Sequence, residues 1–192
     1  MLLHTAAWPE IEAYLKTSTG IIIPIGSTEQ HGPNGLIGTD AICPEVIARE
    51  AGDEAGVLVG PTFNVGVAQH HLGFPGSMTL RPTTMIAALN DWIDSLARHG
   101  FEKIYFLNGH GGNIATIGAA FAESYSNWSF DGEACPYELM QRNWWDLPGV
   151  MDMCRSLFPV GEGSHATASE VSVTYYAYPE HVKDVVMSPK IA

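Results

Sequence analysis

A mostly parallel α/β fold is predicted by three observations. Short apolar runs rich in β-branched residues recur along the chain, stretches of helical spacing lie between them, and 192 residues make one domain with a real core but not two. In chain order, the spacing of Trp8, Ile11 and Leu15 predicts a helix over 8–16, ended by Gly20. Ile21-Ile22-Ile23-Pro24-Ile25-Gly26 reads as a buried strand, with Pro24 marking a place close to its end. A Gly-rich polar loop over 27–39 follows, and Asp40 precedes a helix over 41–51. Val57-Leu58-Val59-Gly60 is the second strand, and 67–81 is a long irregular loop. Pro82 opens a helix that runs to His99, with Met85, Leu89, Trp92, Ile93 and Leu96 as its apolar stripe and Gly100 as its stop. Lys103 to Asn108 is the third strand, 109–113 a tight turn, and Ile114 to Tyr125 the next helix. Residues 126–163 carry Trp128, Trp144, Trp145 and several turn formers in no readable period; Thr167 to Tyr178 reads as helical.

Composition narrows the function. Apolar residues make up 46% and charged residues 16%, which places the chain among globular proteins rather than disordered ones. A net charge of −12 argues against nucleic-acid binding, which needs Lys and Arg to neutralise phosphate. No apolar run is long enough to span a bilayer, and the N-terminal stretch lacks the basic and apolar regions of a signal peptide, so a cytoplasmic location is expected. Cys43, Cys135 and Cys154 are scattered, without a CxxC pair, and suggest neither a disulfide framework nor a thiolate metal site.

Three clusters carry chemistry. Gly26-Ser27-Thr28-Glu29-Gln30-His31-Gly32 and then Thr39-Asp40 follow the first strand, Asn108-Gly109-His110-Gly111-Gly112-Asn113 follows the third, and Gly161 to Glu170 lies further on. Ligands of open α/β sheets bind outside the carboxyl ends of the strands, where the first two clusters fall. Glu29, His31, Asp40, His110 and Glu170, with His165 nearby, supply imidazoles and carboxylates without thiolates. That mix suits zinc, manganese or iron(II). In an extended Glu-x-His both side chains point to one face, and a carboxylate such as Asp40 can bridge two ions. A lone loop histidine is usually just solvated, and a Gly-rich turn can cradle phosphate. The absence of Lys and Arg from all three clusters argues against the phosphate reading.

Pro24-Ile25-Gly26-Ser27-Thr28-Glu29-Gln30-His31-Gly32, Thr39-Asp40, Phe74-Pro75-Gly76-Ser77, Asn108 to Asn113 and Ser164-His165-Ala166…Glu170 together resemble the creatininase (creatinine amidohydrolase) family, in the family's order and over about residues 1–180. The resemblance implies a three-layer α/β/α sandwich and one domain over 1–192, with a C-terminal end shorter than is common among relatives. It implies two divalent ions, Zn²⁺ first and Mn²⁺ or Fe²⁺ as alternatives. Glu29, Asp40 and His110 would hold one ion, and His31, Asp40 and Glu170 the other. His165 would shuttle a proton at the scissile bond. Ser77, Trp144 and Glu162 would contribute to the substrate pocket, beside Trp145. The implied activity is hydrolysis of a C–N bond in a small linear or cyclic amide, by a homo-oligomer that is often a hexamer. Gly112 stands where the creatinine-hydrolysing members carry Glu, which opens other reactions in the family: a deformylase acting on a formylamino-pyrimidine, a modified-peptide peptidase, or opening of a keto-inositol ring. The alternative outside catalysis is a metal-binding or assembly protein that keeps the fold.

Overall fold

The computed structural model describes residues 1–186. In it, α1 (Trp8–Leu15) leads into β1 (Gly20–Ile25), followed by α2 (Thr39–Ala55), β2 (Leu58–Val59), α3 (Pro82–Arg98), β3 (Lys103–Asn108), α4 (Ile114–Asp131), β4 (Glu138–Asn143), α5 (Val150–Leu157) and α6 (Ala168–Ala177). The four strands form one parallel sheet in the order β2-β1-β3-β4. Strand order reverses between β1 and β3, so their carboxyl ends open the crevice where such sheets bind ligands. Ile25, Asn108 and Asn143 lie in register along that edge.

Alternate residues of each strand face opposite layers, because side chains along a strand point up and down in turn. Ile21, Ile23, Ile25, Ile104 and Phe106 pack with Met85, Leu89 and Ile93 of α3 and Ile117 and Ala120 of α4. Ile22, Tyr105 and Leu107 face Cys43, Ile47 and Ala48 of α2 and Val173 of α6. The result is the expected α/β/α sandwich. The predicted stripe of α3 is the one that packs, with Trp92 and Leu96 flanking its three buried residues. On α1 the inward residues are Ile11, Tyr14 and Leu15, whereas Trp8 is exposed.

Several boundaries differ from the sequence reading. β1 ends at Ile25, one residue past Pro24, as the proline predicts, and Pro24 itself still pairs in register with Leu107. A strand residue's N–H and C=O point to the same side, and the Pro24 carbonyl accepts from Phe63 N–H. The missing N–H of Pro24 therefore faces the β2 side, where five residues (Val59 to Phe63) lie opposite four (Ile22 to Ile25) and the ladder is interrupted. The helix after the first loop begins at Thr39 and runs to Ala55, so Asp40 lies inside its first turn instead of before it; Gly56, at φ +68°, ends it. α4 continues past Tyr125 to Asp131. The unread stretch 126–163 contains the end of α4, then β4, a short 3₁₀ turn over Trp144–Asp146, and α5. No helix among the described residues is long and apolar enough to cross a membrane.

Two glycines let α2 reach the strand ends. A Cβ on Gly26, after β1, would lie 2.0 Å from the Asp40 backbone oxygen, and a Cβ on Gly109, after β3, would meet the same oxygen at 2.0 Å and Pro44 Cδ at 2.6 Å. We expect Gly109→Ala to destabilise the fold by about 1–3 kcal/mol through overpacking. By contrast, Gly118→Ala, on the exposed face of α4 with nothing within 4 Å, should stabilise it by about 0.4–1 kcal/mol. Urea unfolding of both variants checks this, and wild-type stability in Gly109→Ala would contradict the packing account.

Candidate metal centre

The first turn of α2 sets Asp40 between the loops that follow β1 and β3. Its carboxylate is met from both sides by imidazoles. His31 Nε2 lies 2.9 Å from Asp40 Oδ1, and His110 Nδ1 lies 2.7 Å from Asp40 Oδ2. Each ring is held by its other nitrogen on a backbone carbonyl: His31 Nδ1 on Glu29 O at 3.1 Å, and His110 Nε2 on Val67 O at 3.0 Å. An imidazole that donates one N–H to a carbonyl presents its other nitrogen as a ligand, which is the usual outer anchoring of metal-binding histidines. Glu29 completes one group with Asp40 and His110, and Glu170 completes another with His31 and Asp40; in each, the donor atoms lie within 4.8 Å of one another. Two further groups meet the same distance, Glu29 with His31 and His165, and Glu29 with His70 and His71; the family resemblance implies the first two sets as ligands.

Each carboxylate is braced so that one oxygen stays available. Glu29 Oε2 accepts from Ser27 Oγ at 2.7 Å, while among the described residues no donor is aligned on the buried Oε1, although His71 Nε2 lies 3.1 Å away. Asp40 Oδ2 is likewise buried and unpartnered, since the nearby His110 nitrogen is not aligned for a hydrogen bond. Glu170 Oε2 accepts from Thr167 N and Oγ1 at 2.7 and 2.9 Å, a capping box that starts α6. Buried carboxylate oxygens without donors are costly, and a cation supplies what they lack. The donor set therefore fits divalent metal.

The acid–base state of the metal-free site follows from the same contacts. Burial, reinforced by the charge of Asp40, lifts Glu29 to about 7 against the pull of His110 and Ser27. Burial alone would lower His31, but its hydrogen bond to Asp40 and the charge of that carboxylate lift it to about 9. Burial would raise Asp40, yet His110 and His31 hold it down at about 2. Burial and neighbouring imidazoles depress His71 to about 4.

The sheet edge holds these loops through three asparagines. Asn108 Nδ2 donates to His110 O and to Asn143 Oδ1, and Asn113 spans Gly26 O and Val67 N–H. Sequence reasoning noted Asn108 and Asn113 but gave them no role. His70 and His71, which the sequence places only in an irregular loop, both line the cleft, with His71 Nε2 3.1 Å from Glu29 Oε1. The adjacent pair of histidines was the available signal; its position depends on loop packing that has no period.

The cleft encloses about 580 Å³. His165, Trp144, Trp145 and Glu162 line it with the metal-ligand candidates, and no Lys or Arg does among the described residues. His165 stacks on His71 and lies tilted against His31, with ring centroids 4.5 Å apart in each pair, and its successor Ala166 has φ +51°, a left-handed conformation costly for a residue with a Cβ. Trp144 Nε1 is buried with no partner. Glu162 spends its oxygens on Ser169 N and Oγ at 2.8 and 3.0 Å. Ser77 lies outside the lining; its Oγ accepts the Gln30 N–H at 3.2 Å and so shapes the loop that carries Glu29 and His31.

A doubly wound sheet with buried carboxylates and imidazoles gathered at its switch point defines an α/β protein with a candidate divalent-metal site. More particularly, the chain belongs to the creatininase family, whose sequence profile, described as creatinine amidohydrolase, matches residues 4–190. It is 26% identical over 185 residues to the creatinine amidohydrolase of Pseudomonas putida, covering 91% of this chain and 71% of that protein. Over 108 residues it is 32% identical to the mycofactocin precursor peptide peptidase of Mycolicibacterium smegmatis, covering 53% of this chain and 43% of the peptidase. A solved structure described as a manganese creatininase superposes with a TM-score of 0.86 at 25% identity, covering 95% of this chain and 74% of the other.

Metal must displace protons from this site. With His31 at about 9 and Glu29 at about 7, both would have to give up a proton to become ligands below pH 7, and His31 alone between pH 7 and pH 9. Zinc affinity should therefore climb from pH 6 to pH 9, by about tenfold per pH unit for each proton released, and more steeply below pH 7 than above. Calorimetric titrations in buffers of different ionisation enthalpy read the released protons; an affinity flat across that range would contradict the assignment.

Proposed function

We propose that this chain is an amidohydrolase with two divalent ions, Zn²⁺ in the first place and Mn²⁺ or Fe²⁺ as alternatives, that hydrolyses the C–N bond of a small linear or cyclic amide. The observation that carries this reading is Asp40: each of its oxygens faces the nitrogen of an imidazole whose other nitrogen is anchored on a backbone carbonyl, so that the facing nitrogen becomes a ligand once its proton is released. Glu29, Asp40 and His110 are proposed for one ion, and His31, Asp40 and Glu170 for the other, with Asp40 shared. Bound there, the ions would supply Lewis acidity, polarising a carbonyl and acidifying water.

The chain's own residues supply the rest. His165, on the cleft wall and partly exposed, is the group placed to carry a proton to a leaving nitrogen. The buried Trp144 N–H, which has no partner among the described residues, is a donor for the substrate. Glu162 shapes the pocket through α6 rather than through a free carboxylate, and Ser77 acts on it through Gln30.

Creatinine is not the favoured substrate. A Cβ on Gly112 would lie 2.4 Å from His110 Nε2 and 2.6 Å from Val67 O, so the Glu of creatinine-hydrolysing members has no room there unless the anchoring of His110 moves. Deformylation of a formylamino-pyrimidine, or cleavage of a modified peptide, is the alternative within the family. With this reading go a cytoplasmic location, a small-molecule partner and neither nucleic acid nor membrane. It also includes a homo-oligomer, which for the family's fold can be a hexamer. Exposed Leu72, Phe74 and Met78 near the cleft give such an assembly apolar surface to cover.

The test is turnover by zinc- and manganese-loaded protein of a panel containing creatinine, formamides, cyclic amides and short peptides. No turnover of any amide would overturn the reading. On a substrate that is turned over, His165→Ala should keep both metals and lose roughly 10²–10⁴-fold in kcat. Full activity restored by excess metal would instead make His165 a residue that only orients a ligand.

A further inference from the structure

Gln30 lies between two metal-ligand candidates, and its side chain serves neither. Its Oε1 accepts the Gly32 backbone N–H at 2.9 Å. A backbone N–H can only donate, so this contact fixes which end of the amide is oxygen and which is nitrogen. The amide nitrogen then faces two imidazoles, 3.0 Å from His71 Nδ1 and 2.9 Å from His165 Nε2. A primary amide has two N–H donors, and here each meets one ring.

The ring nitrogens that receive those donors must be bare. A neutral imidazole with one accepting nitrogen carries its proton on the other. For His71 that is Nε2, 3.1 Å from Glu29 Oε1; for His165 it is Nδ1, 3.8 Å from the same oxygen. The two rings stack with centroids 4.5 Å apart and planes 24° from parallel, so neither can turn over without disturbing the other. The Gln30 backbone is pinned as well, through its N–H on Ser77 Oγ.

We propose that Gln30 is a positioning residue that fixes complementary tautomers in His71 and His165, so that His71 Nε2–H and His165 Nδ1–H both face the cleft beside Glu29. His71 and His165 thereby each direct an N–H toward Glu29 Oε1, at 3.1 and 3.8 Å, and orient that carboxylate at the cleft. The consequence for rate rests on the hydrolase reading above; the tautomers themselves do not.

The experiment is long-range ¹H–¹⁵N correlation of the histidine rings in zinc-loaded, ¹⁵N-labelled protein, with signals assigned by His71→Gln and His165→Gln. The wild type should show His71 protonated on Nε2 alone and His165 on Nδ1 alone; either ring in the opposite tautomer overturns the proposal. In Gln30→Glu the side chain keeps its size but can only accept, so His71 Nδ1 and His165 Nε2 should gain protons. An unchanged spectrum overturns the proposal. Gln30→Met, which removes both donors, should give mixed tautomers and serves where Gln30→Glu does not fold; single, wild-type tautomers there also overturn it. Zinc content should be retained in the variants, and kcat should fall roughly 10–100-fold, as for other residues that orient functional histidines. If the wild type hydrolyses no amide, the rate arm fails with the hydrolase reading while the spectra still decide the tautomers.

Discussion

The site depends on how closely the first turn of α2 approaches the ends of β1 and β3. That approach requires Gly26 and Gly109, because a Cβ on either would collide with the backbone oxygen of Asp40. With the helix seated there, the Asp40 carboxylate is buried between the two loops that carry His31 and His110. Placement of Asp40 is thus a packing problem solved in the backbone. The side chains around it then only need the right rotamers.

Charge explains why the arrangement calls for cations. Glu29, Asp40 and Glu170 are buried together, with no Lys or Arg on the cleft wall among the described residues. Three carboxylates brought out of water are strongly unfavourable unless paired. In the metal-free protein the nearby imidazoles take up protons, as the raised positions of His31 and His110 reflect. Divalent ions meet the same demand with more charge in less space. They would also release those imidazoles to act as ligands.

Much of this was legible in the sequence, for physical reasons. β1 and β3 are buried on both faces and read as continuous apolar runs, and the carboxylates and imidazoles follow them directly. β4 was not legible: Glu-Leu-Met-Gln-Arg-Asn buries only Leu139 and Asn143 and is a strand because β3 offers it a full ladder. The start of α2 was misread because Thr39 and Asp40 look like a cap, whereas burial against the strand ends pulls them into the helix. The ligand candidates were found by residue type and order. The roles of Gln30, His71 and Asn113 depend on how residues 67–81 fold over the first loop, through contacts such as Met78 N–H to Thr28 O, and no periodicity announces such contacts.

The central claim is that two divalent ions share Asp40. Diffraction from crystals of the zinc-reconstituted protein, with anomalous difference maps on either side of the zinc absorption edge, tests it most directly. Two zinc peaks are expected, one among Glu29, Asp40 and His110 and the other among His31, Asp40 and Glu170. No zinc peak at Glu29, Asp40 and His110, or two ions that do not share Asp40, would contradict the account.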